Sequence, residues 1–250
     1  MSDKERPGLI AVIMQPTYVP WIGYFDLMDS ADIFVLLDTV QFEKQSWQQR
    51  NRVKTTDAVS KWLTVPVVQG LQQKISDVRI EASNPWRRKH WGTISQYYKN
   101  APYWKRYNEE LGALYSREWN LLFDWNVAVI TFFKEQFGIP TELVRASQIP
   151  VTGDRVGLLV NLCRYLKADV YLSPVGSADY IEENNIFASQ GVSLIYQEFT
   201  HPVYKQTNGD FMSHMSAIDL LFNEGPASLE IIRSGRGSYD CLTQPTRLNP

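Results

Sequence analysis

The chain opens with a run of apolar residues of strand length, between residues 8 and 15. An uninterrupted apolar run is typical of a parallel strand covered on both faces, because both rows of side chains are then buried. A loop follows it, then a short helical pattern over residues 25–31 and a second apolar run over residues 33–38. This order predicts a βαβ unit at the start of the fold.

The same alternation returns in the second half of the chain. A long helical pattern covers residues 119–137 and ends at Gly138, with Pro140 just beyond it. The elements that follow are predicted as strand, helix, strand and strand, at residues 142–145, 154–167, 170–173 and 193–199. Strands that alternate with helices predict an α/β fold with a doubly wound, mostly parallel sheet.

The middle of the chain interrupts this pattern. Residues 61–68 read as a strand, and the stretch after residue 84 is rich in Trp, Tyr, Lys and Arg and reads as helices. We therefore expect a single α/β domain over residues 1–235, with a helical insertion at about 84–118. The Gly-, Ser- and Pro-rich residues 236–250 are expected to form a flexible tail.

Composition narrows the range of functions. The chain has 250 residues and a formal net charge of −2, and no segment is basic enough to predict a nucleic-acid partner. Its eight Trp residues favour a thick aromatic core over the alternative, a pocket that stacks sugar or base rings. Two Cys without metal-binding spacing, and an N-terminus without signal-peptide order, predict a cytoplasmic protein without membrane insertion.

The first candidate site is the loop after the first strand, residues 15–24, here called the first loop. Its two prolines restrict the backbone, and its aromatic content is high for a simple connection. We expect a bound cofactor to contact Gln15, Tyr18, Trp21, Gly23 and Tyr24. The alternative is a structural loop in which Trp21 and Tyr24 close the end of the sheet.

The second candidate site follows the second strand and is called here the second segment, residues 38–54. Asp38 at a strand end could orient a hydroxyl, an ammonium or a magnesium ion. Arg50, Arg52 and Lys54 could hold phosphate or carboxylate oxygens. Gln41 and Asn51 are expected to contact substrate with Lys54, and the alternative is a polar surface loop. Because neighbouring parallel strands end at the same edge, the first loop and the second segment are predicted to form one cleft.

The third candidate site is a strand that runs into a turn and a helix start, residues 171–180. Ser173, Gly176 and Ser177 are expected to present backbone N–H groups to an anion, with Tyr180 contacting substrate. The alternative is ordinary turn chemistry with Ser177 as a helix cap. The segment lacks the full P-loop pattern, and the chain has neither a G-x-S-x-G nor a G-x-G-x-x-G motif, which argues against a serine hydrolase and a dinucleotide-dependent dehydrogenase.

The histidines give no metal signature. None is spaced for zinc with a partner ligand, so no protein-bound metal site is predicted. A single His on a helix, such as His90, is more often structural than catalytic. His90 remains a candidate because it could supply positive charge to a phosphate.

Several longer motifs resemble the WbqC-like protein family. They are Q-P-T-Y-V-P-W-I-G-Y-F, A-D-I-F-V-L-L-D-T-V-Q-F, S-W-Q-Q-R-N-R-V-K, A-D-V-Y-L-S-P-V-G-S-A-D-Y and M-S-A-I-D-L-L-F-N-E-G. The resemblance extends from about residue 10 to residue 225. It implies a setting in bacterial O-antigen gene clusters, with a nucleotide-linked sugar or another small molecule as partner.

A weaker resemblance concerns the opening βαβ unit, which is similar to that of adenylate-forming nucleotidyltransferases such as pantothenate synthetase. It implies a Rossmann-like fold of the HUP type and the use of ATP with Mg²⁺. Trp21 and Tyr24 stand where that superfamily has the two histidines of its H-x-G-H box.

Together these features predict a sugar-modifying enzyme, with ATP-dependent acyl or aminoacyl transfer to an amino sugar as the most specific form. Asp38, Arg50 and His90 are the candidate catalytic residues. The alternative is a non-catalytic sugar- or nucleotide-binding accessory protein of a glycosyltransferase complex.

Overall fold

The computed structural model describes residues 8–56, 58–68, 70, 72–177 and 186–237. Its strands are β1 (Ile10–Met14), β2 (Ile33–Leu36), β3 (Arg50–Thr56), β4 (Val59–Thr64), β5 (Glu142–Arg145), β6 (Val170–Ser173) and β7 (Ser193–Tyr196). Its α-helices are α1 (Ile22–Asp29), α2 (Trp86–Tyr98), α3 (Trp104–Ser116), α4 (Leu122–Phe137), α5 (Arg155–Leu166), α6 (Ala217–Glu224) and α7 (Ser228–Ser234).

The central sheet contains five strands in the order β5-β2-β1-β6-β7. Every neighbouring pair in it is parallel, so all five strands end at the same edge. In chain order the five strands follow the sequence 3-2-1-4-5, as in Rossmann-like sheets. The predicted doubly wound α/β fold is therefore confirmed.

Both faces of the sheet are buried, as the unbroken apolar run of β1 predicts. Ile10 and Val12 point into one core, which also contains the inner faces of α1 and α4. Ala11 and Ile13 point into a second core, which contains the apolar face of α5. Side chains of a strand alternate between its two faces, so an apolar residue is needed at every position of β1.

Several element boundaries differ from the sequence prediction because of tertiary contacts. α4 begins at Leu122 rather than at residue 119, since Leu121 is extended and the chain there forms backbone hydrogen bonds with residues 78–80. α1 begins at Ile22, directly after Trp21, whose extended backbone bridges to Ser216. The predicted strand at residues 61–68 is β4, which pairs antiparallel with β3 outside the central sheet.

The helices predicted for the middle of the chain are present as α2 and α3. They pack with α4 around a group of buried aromatic rings that includes Trp86 and Trp125. Most of the aromatic content therefore forms core, whereas Trp47 and Trp62 are half exposed. The division into one domain with an insertion at 84–118 stays a prediction.

The chain end that was expected to be flexible begins with an ordered contact. Arg236 forms ion pairs with Asp26 and Asp29 of α1. Residues from 238 onward lie outside the described part of the chain. Within that part, no helix has both the length and the apolar character needed to cross a membrane.

A buried amide of α4 holds the loops at the edge of the sheet. Asn126 Nδ2 donates hydrogen bonds to Pro16 O at 3.2 Å and to Gln48 O at 2.8 Å. These carbonyls belong to the first loop and to the second segment, and Asn126 itself is fully buried. One side chain thus satisfies two backbone acceptors that lie away from solvent.

A second buried polar network joins β3 to α6. Asp219 of α6 accepts hydrogen bonds from the hydroxyls of Tyr98 and Tyr204, at 2.8 and 2.9 Å. Lys54 of β3 is also buried, and its Nζ donates to Gln206 Oε1 and to backbone carbonyls of residues 209 and 210. Every one of these charged or polar groups has a partner, which such burial requires.

We predict that Asn126→Ala destabilises the protein by about 1–3 kcal/mol, because two buried carbonyls lose their donor. The free energy of unfolding in urea measures this loss. Asn161→Ala serves as the control, since Asn161 donates a single exposed hydrogen bond to Thr152 O. Its loss should stay within about 0.5 kcal/mol. Equal losses in the two variants would contradict the role assigned to Asn126.

We also predict an unusual pH dependence from Asp219. Burial raises the pKa of this carboxyl to about 6, against the hydrogen bonds from Tyr98 and Tyr204. Because the unfolded value is about 3.9, folding favours the protonated form. The protonated Asp219 carboxyl therefore contributes fully to the stability of the fold below about pH 4, and this contribution is lost as the pH rises through about 6. The free energy of unfolding of Asp219→Asn, taken relative to that of wild type, should therefore rise by about 3 kcal/mol between about pH 4 and pH 7.

Urea titrations across this pH range measure the difference, and Asp29→Asn provides a control of opposite sign. Burial opposes the charge on Asp29, but hydrogen bonds from Arg233 and Arg236 hold its pKa below the usual value. The free energy of unfolding by which wild type exceeds Asp29→Asn should therefore decrease as the pH falls. A flat difference curve for Asp219→Asn would refute the assignment.

Candidate functional site

The main site candidate is a cavity of about 630 Å³ at the carboxyl edge of the sheet, called here the first cavity. It lies beyond the ends of β1 and β6, which are neighbours although their connections leave in opposite directions along the sheet. This is the topological switch point of the fold, where open α/β sheets bind ligands. Its polar wall residues are Gln15, Thr17, Glu43, Ser46, Gln48, Arg155 and Ser177.

The first loop and the second segment meet at this cavity, as predicted. Tyr18 N donates to Trp47 O at 2.8 Å, and Gln48 Nε2 donates to Gln15 Oε1 at 2.8 Å. Gln15, Trp47 and Gln48 all line the cavity. The predicted common cleft is confirmed.

Backbone strain marks the same loop. Val19 has a φ of +39°, a conformation that is costly for a β-branched residue. Asn51 Nδ2 donates to Val19 O at 2.7 Å and holds the strained peptide in place. Strain of this kind persists only where surrounding contacts over-determine the backbone, and it concentrates at functional sites.

The opposite wall of the first cavity is the beginning of α5. Arg155 is the first residue of this helix, is exposed, and has a φ of +30°. The free N–H groups of a helix start favour anions, and an arginine adds charge-assisted hydrogen bonds. Ser177 and Gly176 from the turn after β6 complete this side of the cavity.

A second cavity, of about 370 Å³, adjoins the first. The two share wall residues Met14, Thr17 and Trp47. The remaining wall of the second cavity consists of Trp21, Tyr24, Asn51, Arg52 and His214. It is therefore more aromatic than the first and contains one arginine among its described lining residues.

The histidines beside the second cavity are held in the neutral form. Burial lowers the pKa of His214, and the nearby Arg52 charge lowers it further. Burial also lowers the pKa of His201, whose ring lies 5.1 Å from that of His214. Both imidazoles are expected to be uncharged at neutral pH. The described residues contain no group of three side chains suited to holding a metal ion.

The predicted site residues divide into those that line a cavity and those that do not. Lining residues are Gln15, Gly176 and Ser177 in the first cavity and Trp21, Tyr24 and Asn51 in the second. Outside both linings lie Tyr18, Gly23, Asp38, Gln41, Arg50, Lys54, His90 and Ser173. Tyr180 falls outside the described residues.

Asp38 is buried, and both of its carboxylate oxygens accept hydrogen bonds. Its oxygens accept hydrogen bonds from Arg145 Nε at 2.5 Å, from Ser147 N at 2.9 Å and from Ser147 Oγ at 2.8 Å. The carboxylate thus joins the ends of β2 and β5. This placement gives no support to the predicted catalytic or magnesium-orienting role.

Tyr18 and His90 form part of the aromatic core. The Tyr18 hydroxyl contacts His90 Nδ1 and the Tyr115 hydroxyl, each at 2.8 Å. Burial lowers the pKa of His90 to about 3, so its imidazole is neutral at physiological pH. It therefore cannot supply the positive charge that the sequence analysis assigned to it.

The other predicted residues outside the cavities have identifiable contacts. Lys54 belongs to the buried network with Asp219 described above, and Ser173 supports the cavity wall from behind through a hydrogen bond to Ser177 Oγ at 2.6 Å. Arg50 stacks on Trp62 at 4.7 Å, and Gln41 is exposed and bridges to Lys74. Gly23 lies under the Trp21 ring, where a Cβ would come within 2.3 Å of the indole.

Sequence reasoning missed Arg155, Glu43 and His214 as wall residues. Arg155 had a local signal, because it stands between Gly153 and Gly157 at a helix start that follows a strand of the sheet. His214 had none. It reaches the cavity only because Ser216 N bonds to Arg52 O and Ala217 N bonds to Pro20 O.

The chain matches a known protein family over most of its length. The sequence profile of the WbqC-like protein family matches residues 15–231, which include the lining residues of both cavities except Ile13 and Met14. A protein of Mycobacterium tuberculosis (strain ATCC 25618 / H37Rv), the uncharacterized protein Rv1507c, is 31% identical over 225 residues. The match covers 88% of this chain and 96% of that protein. No solved structure matches the chain significantly. The extent of these matches shows that the chain belongs to the WbqC-like protein family.

Proposed function

We propose that this protein is a sugar-modifying enzyme of bacterial surface polysaccharide biosynthesis that binds ATP in the first cavity. The O-antigen gene clusters from which the family takes its name supply the biological setting. The observation that carries the proposal is the position of the first cavity at the switch point between β1 and β6. Open α/β sheets bind nucleotides and related ligands at this point.

The walls of the first cavity suit a phosphate-bearing ligand. Arg155 and the N–H groups at the start of α5 offer positive charge on one side. On another side Gly176 exposes backbone, while the N–H and the hydroxyl of Ser177 already donate to Pro174 O. Glu43 places a carboxylate on the same cavity wall, where it could contact a Mg²⁺ ion that enters with the phosphates. The apolar residues Ile13, Leu158 and Leu159 leave room for a base or a sugar ring.

The proposed reaction is an acyl or aminoacyl transfer to the amine of a nucleotide-linked sugar. A carboxylate oxygen attacks a phosphorus atom of ATP and displaces pyrophosphate or ADP. The sugar amine then attacks the activated carbonyl carbon, the phosphate-containing group leaves, and the amine loses a proton. Catalysis in this scheme rests on positioning and on charge stabilisation by Arg155 and the α5 N-terminus.

We predict that Arg155→Ala weakens binding of ATP with Mg²⁺ by about 10- to 100-fold, because a charge-assisted contact to phosphate is lost. Calorimetry gives the dissociation constant. Arg164→Ala is the matched control, since Arg164 is exposed in the last turn of the same helix. Its affinity should equal that of wild type. Equal ATP affinity in the two variants would contradict a contact between Arg155 and the phosphates.

A second prediction concerns turnover. Incubation with ATP, Mg²⁺, small carboxylic or amino acids and 3-amino or 4-amino nucleotide sugars should yield a sugar whose mass has risen by one acyl group. Mass spectrometry detects the product, with pyrophosphate or phosphate release as a second readout. Nucleotide-sugar binding without any mass gain across the panel would favour the non-catalytic accessory protein instead.

A further inference from the structure

The second cavity has a rigid aromatic wall. The Trp21 ring stacks on His214 with centroids 5.0 Å apart and on His201 at 6.1 Å, and Phe199 meets it edge-on at 5.6 Å. The backbone bridge to Ser216 fixes the base of the same residue. Because these contacts hold the Trp21 ring in place, a ring or alkyl group could bind against it with little ordering cost.

Arg52 places a cation in this wall that has no carboxylate partner among the described residues, although its guanidinium carbon also lies 5.9 Å from the Trp62 ring centroid. Its Nε is buried and has no hydrogen-bond partner among the residues that the structure describes. The described lining of the second cavity contains no Asp or Glu, and the two nearby imidazoles are neutral. A guanidinium without a carboxylate partner retains N–H donors, and an anionic oxygen in the cavity would accept a charge-assisted hydrogen bond from them.

The rest of the cavity favours an anion with an apolar body. Met14, Trp21, Tyr24 and Trp47 supply apolar and aromatic surface, and Thr17 and Asn51 supply neutral polar groups. This single-arginine wall matches the two oxygens of a carboxylate. Inorganic phosphate carries more charge, and its three or four oxygens would meet mainly aromatic surface.

We propose that the second cavity binds a small monocarboxylate, namely a carboxylic or amino acid whose side chain lies against Trp21 and whose carboxylate contacts Arg52. The shared wall of Met14, Thr17 and Trp47 then separates it from the ligand of the first cavity. The inference rests on the proposed function in one respect: this carboxylate is the acyl donor that the nucleotide activates.

Binding is tested on the complete protein without nucleotide, so that the result does not depend on the first cavity. The probes are acetate, propionate, glycine, alanine and benzoate, each compared with its primary amide and with inorganic phosphate. Calorimetry gives affinities, and the ¹H–¹⁵N NMR signal of the Trp21 indole reports the location. We expect at least one acid to saturate the protein and shift this signal, with no saturation by its amide.

Matched variants then locate the charge. Arg52→Gln should weaken binding of the acid by about 10- to 100-fold, whereas Arg52→Lys should retain part of the affinity. Arg50→Gln is the control, because Arg50 lies two positions earlier on the same strand and also approaches Trp62 but does not line the cavity. Gly23→Ala should also weaken binding, since the new methyl group displaces the Trp21 ring.

Different results would refute the carboxylate site and the proposed function. The inference is overturned if no acid saturates the protein, if amides or phosphate bind as tightly at Trp21, or if Arg50→Gln weakens binding as much as Arg52→Gln. If Arg52→Gln fails to fold, the comparison of Arg52→Lys with Arg50→Gln and the indole shift still decide. Failure of ATP binding in the Arg155 experiment, with carboxylate binding intact, would refute the proposed function and leave this site standing.

Discussion

The position of β1 between β2 and β6 is the constraint on which the rest of the structure depends. Its backbone is hydrogen-bonded in parallel to strands on both sides, and the chain leaves these strands in opposite directions along the sheet. No connection can then cover the carboxyl end of β1, so a crevice opens there. Both cavities begin at Met14, the last residue of this strand.

The crevice stays open because buried amides hold its rim. Asn126 bonds to carbonyls on both sides of the cleft, Gln48 bonds to Gln15, and Asn51 holds the strained backbone of Val19. Asn126 and Asn51 thereby supply donors to backbone carbonyls of the two loops. The same rim also keeps Trp47 between the two cavities, half exposed and shared by both. These two adjoining compartments are the ones proposed above for a nucleotide and for a carboxylate.

Charged groups in this protein serve two purposes that look alike in sequence. Asp38, Lys54 and Asp219 are buried with complete sets of partners and join elements of the fold. Arg155 and Arg52 instead face the cavities. A buried charge must be paired, so its partners reveal a structural role, whereas an arginine on a cavity wall retains donors for a ligand.

The sequence by itself determined the layered fold and the edge at which the site lies. The apolar run of β1, the alternation of strands and helices and the polar loops after strands all follow from local periodicity and from the geometry of parallel sheets. Only the tertiary structure decided which polar residues face the cavities. Arg50 and Arg52 lie on the same side of β3 and both approach the Trp62 ring, at 4.7 and 5.9 Å, yet only Arg52 lines the second cavity. His90 lies on a plausible helix but is buried among aromatic rings, while His214 arrives from a segment far along the chain. Such choices depend on long-range packing, which leaves no periodic signal in the residues themselves.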